Sequence, residues 1–147
     1  MKAAFLLGRM IFGGFFLYNG IHHFQERKAL AQYSSAKHVP LPEVAVTASG
    51  ALLVAGGVSL LLGVKPKWGA LAVMTFLAGV SPVMHNFWAL DEPNQKQTEM
   101  INFMKNLALL GGALALSGVE EPWPLSLPIA QPTATERVKR FTRQMVA

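Results

Sequence analysis

The sequence contains no cysteine and few charged residues for its length. The absence of cysteine excludes thiol nucleophiles, disulfide relays and cysteine-ligated zinc or iron–sulfur centres from this chain. Charged residues make up 14% of the 147 residues, against about 25% in a typical soluble domain. Most of these charges lie in short segments between long apolar runs. This distribution is typical of an integral membrane protein.

Four of the apolar runs are long enough to cross a bilayer, because a helix needs about 20 mostly apolar residues to span a hydrocarbon core. The runs occupy residues 3–21, 44–64, 68–90 and 100–119. Arg9 and Lys105 are the only Lys, Arg, Asp or Glu residues inside these runs. The runs are continuous rather than alternating, which is against a transmembrane β-barrel. The sequence therefore predicts an all-α fold, a transmembrane four-helix bundle formed by residues 1–119.

The links between the predicted spans differ in length. They cover residues 22–42, 64–67 and 91–99. The second link is a short polar turn, so spans two and three are predicted to form an antiparallel hairpin. The first link is long and ends in prolines, and the third is polar and mostly acidic.

Residues 120–147 form a proline-rich tail. Near its end, Thr133 and Glu136 match the spacing of a helix capping box. We expect a short amphipathic helix on the membrane surface, with a solvated disordered tail as the alternative. The tail's basic residues are Arg137, Lys139, Arg140 and Arg143. We expect the net charge of +5 to serve contact with anionic lipid rather than nucleic acid.

Four spans place both termini on one side of the membrane. Outside the spans, that side has seven Lys and Arg residues and the other side has four. Positive charge favours the cytoplasm, so we expect both termini to be cytoplasmic and the protein to lie in the plasma (inner) membrane. Arg9 is about 20 Å along the first helix from His22. It belongs to the terminal side, where we expect it to snorkel or to contact headgroups.

Polar side chains collect at the opposite end, where spans one and three finish and spans two and four begin. Ser81, His85 and Trp88 share one helical stripe by their spacing. Helical rise places His85 and Lys105 each about 7 Å from the ends of their spans, which gives them a common depth. The predicted ligand-binding residues at this end are His22, His23, His85, Asn86, Trp88, Asn102, Lys105 and Asn106.

Each of these residues also has a purely structural interpretation. An ionisable group inside a membrane is costly and therefore a candidate for function, but Lys105 is close enough to the interface to snorkel. His85 fits a hydrogen-bonded structural histidine, and Trp88 fits an interface anchor. The His22 and His23 pair fits a solvated position at the end of a span.

Three histidines at one end raise the question of haem or metal ligation. No His-x-x-x-His pair is present, and a lysine nearby would repel a bound cation. We therefore predict no metal site and disfavour haem. A quinone site does not need ligands at fixed spacing. It needs an apolar cleft, an aromatic wall and hydrogen-bond donors to the carbonyl oxygens of the quinone. A histidine that titrates near neutral pH also suits the proton transfer that quinone reduction needs.

Four short motifs are distributed over the predicted spans. They are Gly8-Arg9, Gly56-Gly57 followed by Leu60-Leu61-Leu62-Gly63, His85-Asn86-Phe87-Trp88, and Phe103-Met104-Lys105-Asn106-Leu107 before Gly111-Gly112. In order and spacing, over about residues 5–118, they resemble the DoxX family. The resemblance implies a four-helix membrane bundle with cytoplasmic termini. It also implies, for some members, a link to quinone-dependent sulfur oxidation or to membrane oxidoreductase complexes.

One position departs from the family pattern. Many members carry a glutamate in the second span, four residues before its second glycine, where this chain has Leu53. An activity that depends on that carboxylate is therefore not expected here. Glu43 is then the acid nearest to that helix.

The residues and the resemblance together predict an accessory subunit of a membrane oxidoreductase system, not catalytic alone, with a quinone-like pocket at the polar end. The alternative is a membrane scaffold whose glycine faces dock a partner. Small residues allow close helix packing, and pairs occur at Gly13-Gly14, Gly56-Gly57 and Gly111-Gly112. A small-solute or proton transporter is disfavoured because no inverted repeat is evident.

Overall fold

A computed structural model of the protein describes residues 2–127, and every regular element in this part of the chain is helical. The elements are α1 (Lys2–Gln25), α2 (Arg27–Ala36), α3 (Pro42–Leu62), α4 (Pro66–Met84), a short 3₁₀ helix (Phe87–Ala89) and α5 (Pro93–Ser117). The predicted tail helix lies outside the described residues. So do its four basic residues, Arg137, Lys139, Arg140 and Arg143.

Four helices in the described part of the chain are long and apolar enough to cross a membrane. These segments are Ala3–Gln25, Pro42–Leu62, Pro66–Ala89 and Pro93–Ser117. Each overlaps one of the four apolar runs, so the prediction of an all-α protein with four candidate spans is confirmed. The side on which the termini lie stays a prediction.

The predicted turn between spans two and three is confirmed by the structure. α3 ends one residue before Gly63, whose φ of 67° is left-handed, and glycine adopts this conformation at a helix end without a Cβ clash. Lys65 follows with φ 46°, and Pro66 opens α4, where its missing N–H costs nothing. Ser59 donates its hydroxyl to the carbonyl of Val64 at 2.7 Å. α3 and α4 therefore form a tight hairpin.

α1 and α3 approach so closely that only glycine fits between them at several positions. A Cβ on Gly57 would lie 2.5 Å from a backbone nitrogen of α1 and 2.9 Å from the carbonyl oxygen of Gly13. A Cβ on Gly20 would lie 2.7 Å from a backbone nitrogen of α3. Gly14 and Gly111, by contrast, have open space beside them. The predicted glycine packing surfaces are therefore present, but not every member of each pair is used.

The core is apolar and draws on all four long helices. α1 packs against α3, α3 against α4, and α4 against α5. Phe12 of α1 reaches across to α5, where a Cβ on Gly112 would lie 3.0 Å from its ring. Leu53 of α3 is fully buried in the core cluster. At the position where the resemblance implies a glutamate, this protein therefore has a leucine that is buried in the core.

The segment after α5 folds back over the end of the bundle where α1 begins. Trp123 is 2% exposed and belongs to the core cluster. Leu127 donates its backbone N–H to the carbonyl of Leu62 at 3.0 Å. Residues up to Leu127 are therefore packed on the bundle, although the sequence assigns them to the tail.

This fold-back changes the interpretation of Arg9. The sequence suggests a snorkelling arginine, but Arg9 is only 2% exposed. Its Nη1 donates to the carbonyl of Pro124 at 2.9 Å and its Nη2 to that of Leu125 at 3.3 Å. The expectation of snorkelling is wrong, because the returning chain covers the guanidinium and supplies acceptors for it.

α2 lies within the predicted link between spans one and two. It packs against α3 at the polar end of the bundle, with Ala31 and Ser34 buried. This helix is short and polar, so hydropathy does not predict it. α2 brings a further set of polar side chains to the end where the ligand site is predicted.

Candidate functional site

α4 ends where the candidate site begins. Pro82 cannot donate a backbone hydrogen bond, and the helix stops at Met84, two residues later. His85 caps the helix, and its N–H donates to the carbonyl of Ser81 at 3.0 Å. Because the helix ends here, His85 and Asn86 stand at the polar end of the bundle, before the 3₁₀ helix.

α5 begins earlier than the hydropathy predicts. Glu92 caps it and accepts the N–H groups of Gln95 at 2.6 Å and Asn94 at 3.1 Å. These hydrogen bonds lower the pKa of Glu92 below its ordinary value, with Gln95 contributing most. Pro93 suits the first helical position. The polar residues before Met100 therefore form the first two turns of the helix, and Glu99 lies within it.

His85 is paired with Glu99. Its Nδ1 lies 2.6 Å from Oε2 of Glu99, and the two side chains are 21% and 19% exposed. A partly buried pair at this distance is a strong, charge-assisted hydrogen bond when the histidine is protonated. Glu99 is not among the predicted site residues. Its helical spacing to Asn102 and Asn106 (i, i+3, i+7) is the signal that could have identified it.

The end of α2 contributes the nearby cation. Lys37 donates from Nζ to Oδ1 of Asn86 at 3.4 Å, and the same Nζ lies 5.9 Å from the centre of the Tyr33 ring. Burial raises the pKa of Tyr33, and the negative charge of Glu99 raises it further. α2, α4 and α5 thus meet at one place, which has a lysine, a phenol, an amide and the His85–Glu99 pair.

A small cavity opens beside this junction, with a volume of about 280 Å³. Its lining residues are Lys37, Leu90, Asn94, Gln95, Thr98 and Glu99. Small-molecule sites typically measure about 300–1,000 Å³, so the cavity suits a single ring or head group. Within the described residues, no group of three or more His, Asp or Glu side chains is arranged to hold a metal ion.

An aromatic cluster lies next to the site along the chain. Phe87 is 5.2 Å from Trp88 and 5.6 Å from Phe103 between ring centres, and Trp88 is 5.8 Å from Phe103. All three pairs are edge-on, a favourable geometry for aromatic rings. The cluster ties the 3₁₀ helix to α5, and Trp88 remains 55% exposed.

The two predicted site residues of α1, His22 and His23, interact mainly with other residues of α1. Nδ1 of His23 lies 2.8 Å from the carbonyl oxygen of Asn19, and its ring meets Phe76 of α4 edge-on at 5.8 Å. His22 stacks on Tyr18 at 6.2 Å. Among the described residues, neither histidine is hydrogen-bonded to His85 or Glu99.

Lys105 is not hydrogen-bonded to His85 in the described part of the chain. It is exposed and makes no hydrogen bond or ion pair with any described residue. It lies six residues after Glu99, which is about 9 Å along α5 and about 120° around it. Asn102 and Asn106 are half-buried and share the face of Glu99. The observed partner of His85 is Glu99, which lies nearer than Lys105 to the start of α5.

The comparisons with known proteins agree with the resemblance noted from the motifs. A model of the DoxX family matches residues 4–86, which is more than half of the chain. The match therefore includes His85 and Asn86 but stops before Glu99. No curated protein and no solved structure matches the chain. The chain, a multi-pass membrane protein by its four apolar helices, belongs to the DoxX family.

Proposed function

We propose that this protein is an accessory subunit of a membrane oxidoreductase system and binds the head group of a quinone at its polar end. The observation that carries the proposal is the His85–Glu99 pair at 2.6 Å. Glu99 also lines the cavity of about 280 Å³, together with Lys37. The site therefore combines hydrogen-bond donors, a hydrogen-bonded histidine–carboxylate pair and room for one ring.

This combination matches what a quinone head group requires. Reduction of a quinone to a quinol adds two electrons and two protons, one proton to each carbonyl oxygen. Lys37 offers N–H donors to a carbonyl oxygen. His85 and Glu99 form a hydrogen-bonded histidine–carboxylate pair beside the cavity, and such a pair is suited to passing a proton to a bound ligand. We assign the electron supply to a partner subunit, and binding and proton supply to this chain.

The proposal replaces one predicted cation with another. Lys37 of α2 lines the cavity, whereas Lys105 is exposed on another side of α5. Asn102 and Asn106 stay candidates for contact with a bound ligand, because they continue the face of Glu99 deeper along the helix. Trp88 and Asn86 stay candidates through their position beside the pair. His22 and His23 are the least favoured members of the predicted set.

The test is binding of a decyl-substituted benzoquinone to the purified protein in nanodiscs, measured by equilibrium dialysis. Loss of a hydrogen bond from a charged group costs about 1.5–3 kcal/mol, so Lys37→Met and His85→Phe should each raise Kd about tenfold or more. Lys105→Met is the matched control, since it removes the same charge from α5. We expect it to change Kd by less than about twofold.

The outcomes separate the alternatives. An unchanged Kd in both Lys37→Met and His85→Phe would discard the pocket. A loss of binding in Lys105→Met alone would move the site to the cluster that the sequence suggests. A protein that binds no quinone in any form would leave the scaffold as the better interpretation.

A scaffold or assembly protein is the second candidate, and the exposure of α5 favours it. Among the described residues of α5, only Ala113 is buried, whereas α3 and α4 each bury residues along their length. Met104, Leu107 and Leu114 are each about half-exposed or more. A scaffold should copurify one stoichiometric partner in mild detergent, and the His85→Phe variant should retain that partner.

A further inference from the structure

A second cavity lies at the elbow between α1 and α2 and measures about 640 Å³. Its lining residues are Phe24, Gln25, Glu26, Arg27, Lys28, Ala29, Gln32 and Glu43. They belong to the last turn of α1, the first turns of α2 and the start of α3. None of them lines the smaller cavity beside Glu99. The elbow cavity is therefore a separate site.

The elbow cavity carries two acids and two bases, and most of their hydrogen-bonding capacity is free. Arg27 donates from Nη2 to Oε2 of Glu43 at 2.5 Å. A guanidinium has five N–H donors, and this is the only one that Arg27 uses toward the described residues. The side chains of Lys28 and Glu26 make no hydrogen bond within the described part of the chain. The cavity thus offers free donors for an anion beside free acceptors for a cation.

An apolar track leads away from the cavity along α1. Phe24, Ile21 and Tyr18 are 45%, 44% and 67% exposed. They are spaced three residues apart, so they form one stripe on the outer face of the helix. α1 is one of the candidate membrane spans. A ligand that fills the elbow cavity and also lies along this stripe has a polar group with one negative and one positive charge, joined to an apolar chain.

We propose that the elbow cavity binds a phospholipid whose headgroup combines a phosphate with a primary ammonium group. The phosphate accepts hydrogen bonds from Arg27 and Lys28, and the ammonium donates to Glu26 and Glu43. One acyl chain follows the stripe on α1. A primary ammonium has three N–H donors for these carboxylates, whereas a quaternary ammonium has none. A headgroup without an amine would place its phosphate near the two carboxylates with no positive charge of its own between them. The site does not depend on the proposed quinone pocket.

The test is lipid retention by the purified full chain, measured by native mass spectrometry. The protein is equilibrated with an equimolar mixture of phosphatidylethanolamine, phosphatidylcholine and phosphatidylglycerol. The unmodified protein should retain one phosphatidylethanolamine in preference to the other two. Removing the donors with Arg27→Gln and Lys28→Gln together should lower this retention at least about tenfold. Glu26→Gln with Glu43→Gln should remove the preference over phosphatidylcholine.

The matched control is Lys65→Gln with Lys67→Gln, which removes two positive charges at the opposite end of the bundle and should leave retention unchanged. Circular dichroism checks the fold, and Lys28→Gln alone, which breaks no contact within the described residues, serves if the double variant does not fold. Equal retention of all three lipids would overturn the proposal. A preference for phosphatidylglycerol, or an equal loss in the control pair, would overturn it as well.

Discussion

The guanidinium of Arg9 lies 5.9 Å from the centre of the Trp123 ring. Arg9 belongs to α1, and Trp123 to the segment after α5, so the contact joins the two ends of the described chain. Phe5 meets the same indole edge-on at 5.2 Å. The contact closes the terminal end of the bundle with a buried cation and two buried or half-buried rings.

This closure predicts the effect of Arg9→Met. The substitution removes the two hydrogen bonds that Arg9 donates to the carbonyls of Pro124 and Leu125, and a hydrogen bond from a charged group contributes about 1.5–3 kcal/mol. We expect the free energy of unfolding to fall by about 2–4 kcal/mol and the emission of Trp123 to shift to the red. Both are measured in detergent with Trp68 and Trp88 replaced by Phe. An unchanged emission would mean that the guanidinium does not hold the returning segment.

The close contact between α1 and α3 predicts the effect of Gly57→Ala. The new Cβ would lie 2.5 Å from a backbone nitrogen of α1, so the helices must separate, and overpacking typically costs about 1–3 kcal/mol. The matched control is Gly111→Ala, where nothing lies within 4 Å of the new Cβ. There the better helix propensity of alanine should stabilise the protein by up to about 1 kcal/mol. Thermal unfolding in detergent compares the two, and equal midpoints would contradict the packing.

The approach of α2 to α5 predicts a change in the titration of Tyr33. Burial and the charge of Glu99 both raise the pKa of this phenol above 10.0. Glu99→Gln removes the smaller cause, so the pKa should fall but stay above 10.0, because burial remains. Phenolate absorbance in a Tyr18→Phe background measures this, with Glu120→Gln as the control. No change in Glu99→Gln would show that Glu99 does not face α2.

The cap of α5 predicts a pH dependence at its first turn. The pKa of Glu92 in the folded protein is below its ordinary value of 4.5, so the cap's contribution is present above pH 4.5 and is lost as the pH falls through the lowered value. The backbone amide signals of Asn94 and Gln95 should move in this window in a nuclear magnetic resonance titration. Glu92→Gln should abolish the movement, whereas Asp91→Asn should leave it in place.

Several features of the fold follow from local sequence. The four candidate spans are visible because hydropathy over about 20 residues is a local property. The α3–α4 turn is predicted by its lysines and proline, and the structure places Gly63 at the end of α3 with a positive φ. The concentration of polar side chains at one end is predicted by the alternation of helix direction. The resemblance to the DoxX family, confirmed over residues 4–86, rests on the order of short motifs.

The partners of individual side chains do not follow from the sequence in this way. Lipid is as apolar as the protein interior, so a membrane helix shows little contrast between its buried and lipid-facing sides, and periodicity does not fix its rotation. The sequence therefore places Lys105 beside His85, whereas the structure turns Glu99 toward it.

The sequence by itself determined the number of candidate spans, the hairpin and the polar end, because these depend on residues close together in the chain. Only the tertiary structure decided that Glu99 pairs with His85, that α2 brings Lys37 to Asn86 and that Arg9 is buried under the returning chain. Each of these contacts joins separate helices or distant segments, and each depends on the rotation and the exact ends of helices. Packing sets those quantities, and hydropathy does not encode them.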